Sequence, residues 1–145
     1  MSVAEIHSDR YKSTKSGIWT GRSVDALDGI QYWYQAIKSI DIQVVSSFDS
    51  VQSPSDVSII GYACDEGVRR NQGRVGAKDG PPAIRSQLGR LAYHHFSTCV
   101  IDFGDIVCVD SNMEQSQADL ANLVSHSIGQ GAFPIVLGGG HEVAF

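Results

Sequence analysis

A histidine that follows three glycines is the residue of this sequence best placed to do chemistry. Ile135 to Leu137 form a short apolar run, and Gly138 to Gly140 separate that run from His141. Consecutive apolar residues predict a strand covered on both faces in a parallel sheet, and such sheets place ligands at the carboxyl ends of their strands. A neutral imidazole nitrogen at that position can bind a metal ion. The alternative is a glycine-rich turn that leads into a helix and contains a hydrogen-bonded histidine. The residues alone leave both interpretations open.

The loop from Gly67 to Lys78 is the second candidate for chemistry. It contains no acid and four of the chain's eleven basic residues, Arg69, Arg70, Arg74 and Lys78. Guanidinium forks bind carboxylates through paired hydrogen bonds, so the loop suits a substrate that carries carboxylates, and Asn71 could add an amide contact. The alternative is a solvated loop whose arginines pair with Asp65, Glu66 or Asp79. The sequence favours ion pairs for Arg69 and Arg70 and substrate binding for Arg74.

The elements that position these residues alternate between strand and helix. Apolar runs predict strands at 57–62, 100–106 and 135–137. Apolar spacing predicts a helix from about Val24 to Lys38, and residues 1–16 have no period and are expected to form a flexible arm. The alternation of the later elements predicts an α/β domain over residues 17–145 with a parallel sheet.

Two further helices are predicted from capping signals. Asp79 and the prolines that follow Gly80 predict a helix start, with the apolar residues Ile84, Leu88 and Leu91 on one face of the helix. Ser111 and Glu114 form a capping-box pattern. The helix they open is expected to end at Gly129 and to bury Leu120, Leu123, Val124 and Ile128.

Composition excludes several classes of protein. The chain has 145 residues, of which 42% are hydrophobic and 19% charged, so it is neither disordered nor a coiled coil. Its net charge of -5 argues against nucleic acid as the main partner. We expect no membrane span, because no apolar run is long enough, and a cytoplasmic protein with three reduced cysteines.

The Asp102-Phe103-Gly104 triplet spells a magnesium-binding motif of kinases. No phosphate loop, strand lysine or catalytic-loop pattern accompanies it, so chance or a structural role explains it better.

Taken together, these motifs resemble the arginase and agmatinase family. The segment from Gly61 to Ala77, with its Arg-Asn-Gln-Gly-Arg loop, is similar to the formimidoylglutamase branch of that family. Asp102 to Asp105 and Pro134 to Glu142 follow in the family's order and spacing, and the resemblance covers nearly the whole chain beyond the arm.

The resemblance implies a three-layer α/β/α fold, a homo-oligomer, and a site in which two manganese ions (Mn²⁺) activate water. It implies hydrolysis of N-formimidoyl-L-glutamate to L-glutamate and formamide in histidine degradation. His141 would be the first metal ligand, and Asn71 and Arg74 would bind the glutamate moiety. The family's later Asp-x-His-x-Asp and Asp-x-Asp ligand motifs are absent here, so the 145 residues resemble an N-terminal portion that is inactive alone. Alternatives are arginase or agmatinase chemistry on a guanidinium substrate, or a non-catalytic α/β binding module.

Overall fold

The computed structural model describes residues 6–23, 29–44 and 56–144 of the chain. Short 3₁₀ turns at Ser8–Arg10, Ala77–Asp79 and His141–Ala144 accompany the strands and α-helices in these ranges. The strands and helices are, in chain order, β1 (Tyr11–Lys12), α1 (Trp33–Ala36), β2 (Lys38–Ser39), β3 (Val57–Ala63), α2 (Glu66–Arg70), α3 (Gly80–Leu88), β4 (Val100–Val107), α4 (Met113–Gly129) and β5 (Phe133–Leu137).

The strands form one sheet with β3 at its centre. β4 and β5 lie on either side of β3, and both are parallel to it. The outer edge of β4 is shared by β2, which is parallel, and by β1, which is antiparallel. The predicted α/β fold with a parallel sheet is therefore confirmed, and β1 is an antiparallel addition at one edge.

Helices cover both faces of the sheet. Ile60 of β3 packs in a cluster with Leu120 and Leu123 of α4. The preceding residue, Ile59, packs in a second cluster against Leu88 of α3. Successive strand residues point to opposite faces, so these two clusters are the two sides of one sheet. This arrangement confirms the three-layer α/β/α architecture.

A β-bulge interrupts β4 at Gly104. The register advances by two residues from Ile59 to Gly61 on β3, but by three from Asp102 to Asp105 on β4. Gly104 has a φ of 78°, which suits an extra residue in one strand of a pair. Residues three apart on a regular strand face opposite sides. The bulge instead lets the side chains of Asp102 and Asp105 both reach α3.

The N-terminal segment is folded into the domain. Ile6 and Tyr11 are buried, and the Tyr11 hydroxyl accepts a hydrogen bond from the Ile42 backbone N–H. Arg10 forms an ion pair with Asp119 of α4. The prediction of a flexible arm over residues 1–16 is therefore wrong for residues 6–12, and residues 1–5 lie outside the described ranges.

The predicted helix from Val24 to Lys38 is mostly wrong. Residues 24–28 lie outside the described ranges, and after them only Trp33–Ala36 is helical. Gly29 has a φ of 61°, and Lys38 begins β2. Pairing of β2 with β4 overrides the local helical spacing because it satisfies backbone groups in the sheet.

The helix α3 has a different buried face from the one its apolar residues predict. Pro81 and Arg85 are buried, whereas Ile84 is 42% exposed and Leu91, which lies beyond the helix, is 56% exposed. The predicted start next to Asp79 is confirmed. The face is shifted because Arg85 pairs with carboxylates of β4.

The predictions for α4 and β5 need smaller corrections. Asn112 rather than Ser111 caps α4, through its side-chain oxygen and the Gln115 N–H. Leu120 and Leu123 are buried as predicted, but Ile128 is 58% exposed.

The strand β5 is not covered on both faces. Phe133 and Ile135 are exposed, and among the described strands β5 pairs only with β3. No helix in the described ranges is long and apolar enough to cross a bilayer.

Candidate active-site cleft

The three glycines before His141 let the chain pass close to the end of β3. A Cβ atom on Gly139 would lie 2.1 Å from the Cys64 carbonyl oxygen and 2.7 Å from that of Tyr62. The Gly140 N–H donates to the same Cys64 oxygen over 2.8 Å. The close approach that these glycines permit is thus made by the protein's own backbone. It fixes where the turn that carries His141 begins.

His141 and Asn71 line the same cleft. The cleft has a volume of about 440 Å³, and its other lining residues come from the start of α2 and from the turn after β5: Gly67, Val68, Glu142 and Ala144. His141 and Asn71 are both exposed. The structure therefore brings together two of the three residues that the sequence singles out.

Arg74, the third of these residues, does not line the cleft. It lies in the exposed loop between α2 and α3, and within the described ranges it makes no hydrogen bond or ion pair. The Gly76 N–H donates to the Asp65 carboxylate over 2.8 Å, which holds the loop near the end of β3. Arg74 is therefore an exposed cation of the loop between α2 and α3.

Arg69 and Arg70 have structural partners. Both guanidinium groups bind Glu66, and Arg70 also binds Glu114 at the start of α4. These hydrogen bonds lower the pKa of Glu66 to about 2, with Arg69 contributing most, and Arg70 lowers the pKa of Glu114 to about 2. The structure places both arginines in the ion pairs that the sequence favours for them.

Glu142 is a residue of the cleft that the sequence interpretation missed. Its carboxylate accepts a hydrogen bond from the Gly67 backbone N–H over 3.3 Å. Its backbone oxygen accepts from the Gln117 side chain of α4 over 3.2 Å. The one signal in the sequence was its place directly after His141.

The described residues can supply only part of a metal site. His141 presents an exposed imidazole beyond the carboxyl end of β5, which fits a single ligand position. Within the described ranges no group of three His, Cys, Asp or Glu side chains could hold a metal ion. A manganese ion prefers several oxygen ligands, so these residues alone do not fit it.

A second polar cluster lies inside the domain. The buried Arg85 binds both oxygens of Asp102, one oxygen of Asp105 and the Gly104 carbonyl. Burial raises the pKa of Asp105, although the charge of Arg85 opposes that rise. Asp102 also accepts hydrogen bonds from Trp19 and Thr14, each over 2.7 Å. The Asp-Phe-Gly triplet is thus part of a structural ion-pair cluster.

Comparison with known proteins agrees with this fold. The family model described as "Arginase family" matches residues 55–145, and the chain belongs to that family. Among solved structures, the chain is similar to Trypanosoma cruzi formiminoglutamase with Mn²⁺, with a TM-score of 0.58 and 37% sequence identity. That match covers 66% of this chain and 35% of the other.

Formimidoylglutamases are among the curated relatives of this chain. The chain is 44% identical over 130 residues to that of Chromobacterium violaceum, covering 88% of this chain and 38% of the relative. It is 41% identical over 138 residues to that of Geobacillus thermodenitrificans, covering 93% of this chain and 41% of the relative. The chain thus spans about two-fifths of the length of these relatives.

Proposed function

We propose that this chain is the portion of a formimidoylglutamate hydrolase that carries its first metal ligand and part of its substrate site. The observation that carries the proposal is the meeting of His141 and Asn71 in one cleft beyond the carboxyl ends of β3 and β5. The similarity to formimidoylglutamases over most of this chain supports the choice of substrate.

Each residue has a task that its geometry allows. His141 would offer a ring nitrogen to manganese, whose role when bound is to lower the pKa of water so that it can attack carbon at neutral pH. The Asn71 amide can donate to a substrate carboxylate, and Arg74 can bind one through its guanidinium fork. The products of adding water across the formimidoyl C–N bond would be L-glutamate and formamide.

The remaining metal ligands belong to the proposal as well. They would come from the region that the relatives possess and this chain does not align with, and the complete site would hold two manganese ions. A cytoplasmic homo-oligomer acting in histidine breakdown is the setting that this activity implies.

The test is to extend the chain through the region that its relatives possess, load it with manganese and measure formamide release from N-formimidoyl-L-glutamate. Asn71→Ala and Arg74→Ala should each raise KM about tenfold or more, because a hydrogen bond to a charged group contributes about 1.5–3 kcal/mol. Arg90→Ala is the matched control. Arg90 is exposed and follows the end of α3, and it is not among the residues that line the cleft.

Two outcomes would contradict the proposal. Release of urea from a guanidinium substrate, with no formamide from the glutamate derivative, would indicate arginase or agmatinase chemistry. No turnover of either substrate, together with binding of glutamate in titration calorimetry, would indicate a binding module.

A further inference from the structure

The turn that carries His141 and the helix that ends beside Asn71 are joined by a single carboxylate. Glu142 follows His141 directly, and its Oε1 accepts the Gly67 N–H over 3.3 Å. Gly67 lies in the first turn of α2, and its carbonyl oxygen accepts the Asn71 N–H over 3.0 Å. A continuous path of two hydrogen bonds therefore runs from the residue after His141 to Asn71.

Two glycines leave the space that the carboxylate occupies. A Cβ atom on Gly67 would lie 2.9 Å from Cδ of Glu142, and a Cβ on Gly140 would lie 2.0 Å from its Oε2. Gly140 does not have a positive φ, so its backbone conformation does not itself require glycine. The lack of side chains at both positions is explained by the placement of Glu142 between them.

We propose that Glu142 is a positioning residue that fixes Asn71, and with it the substrate-binding side of the cleft, relative to His141. The inference deepens the proposed function, because it assigns a task within the same cleft. The carboxylate lies against the backbone of Gly67 and Gly140, which is the geometry of a connection between two segments.

The first experiment measures backbone amide exchange in the 145-residue chain. Glu142→Ala should speed exchange of the Gly67 amide about tenfold or more, because the N–H loses a charged acceptor. Glu142→Gln keeps an oxygen acceptor and should change this rate by less than about threefold. Amides of Leu120 and Leu123 in α4 are the internal control and should exchange as in the parent chain. Unchanged exchange at Gly67 in Glu142→Ala, or equal rates in the two variants, would overturn the proposal.

A second variant fills the space beside Gly140 and leaves the Glu142 carboxylate in the chain. Gly140→Ala places a methyl group where Oε2 lies, so the carboxylate must move away. Exchange at Gly67 should rise as in Glu142→Ala, and the double variant should show no further rise. An additive effect, or no effect of Gly140→Ala, would contradict the proposed connection.

Kinetics of the extended enzyme separate positioning from catalysis. Glu142→Ala should raise KM about tenfold with kcat within about twofold, and Glu142→Gln should restore KM. A loss of kcat in Glu142→Gln as large as in Glu142→Ala would identify Glu142 as a catalytic acid or base and overturn the positioning role. If the extended enzyme is inactive while the exchange results hold, the proposed function fails and the structural connection stands.

Discussion

Arg85 shows how one residue can decide which face of a helix is buried. Its side chain is 0% exposed, and it forms ion pairs with Asp102 and Asp105 inside the domain. Burial, the largest single effect, lowers the pKa of Arg85, but the charges and hydrogen bonds of Asp102 and Asp105 together raise it above its ordinary value, so the guanidinium stays charged. The sequence contained a usable signal, because two carboxylates in an apolar strand need a cation nearby.

Replacing this cation should destabilise the chain strongly. Arg85→Met leaves the buried Asp102 and the partly buried Asp105 without their cation, and removing one member of a buried ion pair costs about 3–5 kcal/mol. Urea unfolding monitored by circular dichroism measures the change. The matched control Arg90→Met alters an exposed arginine and should stay within about 0.5 kcal/mol of the parent. Equal unfolding midpoints for the two variants would contradict this role for Arg85.

The ion pairs of Glu66 make the stability of the folded chain depend on pH in the acid range. Its pKa falls from an ordinary 4.5 to about 2 on folding. A lowered pKa stabilises the folded state above the unfolded value, and this stabilisation is lost as the pH falls from about 4.5 towards 2. Unfolding midpoints of the parent and Glu66→Gln should therefore differ at neutral pH and converge below pH 4.5. A difference that stays constant down to pH 2.5 would exclude this origin.

Part of the candidate site could be located from side-chain chemistry. The sequence singles out His141 and Asn71, and the structure places both in one cleft. Glu142 was missed because its partners are backbone atoms of Gly67 and Gly140, which no residue pattern displays. The functional roles of His141, Asn71 and Arg74 stay predictions until the variants are measured.

At the scale of elements, the bulge in β4 determines the geometry of the ion-pair cluster. Gly104 combines a φ of 78° with a crowded position, since a Cβ atom there would lie 2.5 Å from the Lys12 carbonyl oxygen. Because the neighbour is backbone of β1, it cannot swing aside as a side chain would.

Gly104→Ala should therefore destabilise the folded chain more than an ordinary glycine-to-alanine substitution does. The left-handed backbone alone costs about 1–2 kcal/mol for an alanine, and displacement of β1 adds to that. The control is Gly129→Ala in the last turn of α4, where nothing lies within 4 Å of a new Cβ and φ is not positive. It should be neutral or stabilise by up to about 1 kcal/mol, as measured by thermal unfolding. A Gly104→Ala chain as stable as Gly129→Ala would disprove the steric role.

Elements were predictable where their signals are local. The starts of β3, β4 and α3 lie within a residue or so of the predicted positions, because apolar runs and proline mark them in the sequence. The region around α1 could not be predicted in this way, because β2 forms through pairing with β4, about 60 residues later in the chain. The same limit applies to β1, whose partner is also β4.

At the scale of the whole molecule, β5 presents an open edge. It pairs with β3 on one side only among the described strands, and Phe133 is 68% exposed. An unpaired strand edge with exposed apolar side chains promotes pairing with another chain. The fold class was predictable from the alternation of strands and helices. The exposure of β5 was not predictable, because a run of apolar residues does not indicate how many strands will pair with it.

The 145-residue chain should therefore self-associate in solution in a way that depends on concentration. Ile135→Lys places a charge on the open strand and should reduce association, as measured by sedimentation velocity. Leu91→Lys changes an exposed apolar residue in the segment after α3 and is the control, with no expected effect. Association that is unaffected by Ile135→Lys, or abolished equally by Leu91→Lys, would rule out β5 as the contact.

The central position of β3 also determines the order in which the strands can pair during synthesis. Val57 pairs with Val100 and with Phe133, so both neighbours of β3 are made after it. At ~5–20 residues per second on the ribosome, the segment reaching Phe133 follows β3 after on the order of 4–15 s. Throughout that interval the central strand of the sheet has an unoccupied side. Chaperone binding to the nascent chain can therefore compete with sheet assembly during that interval.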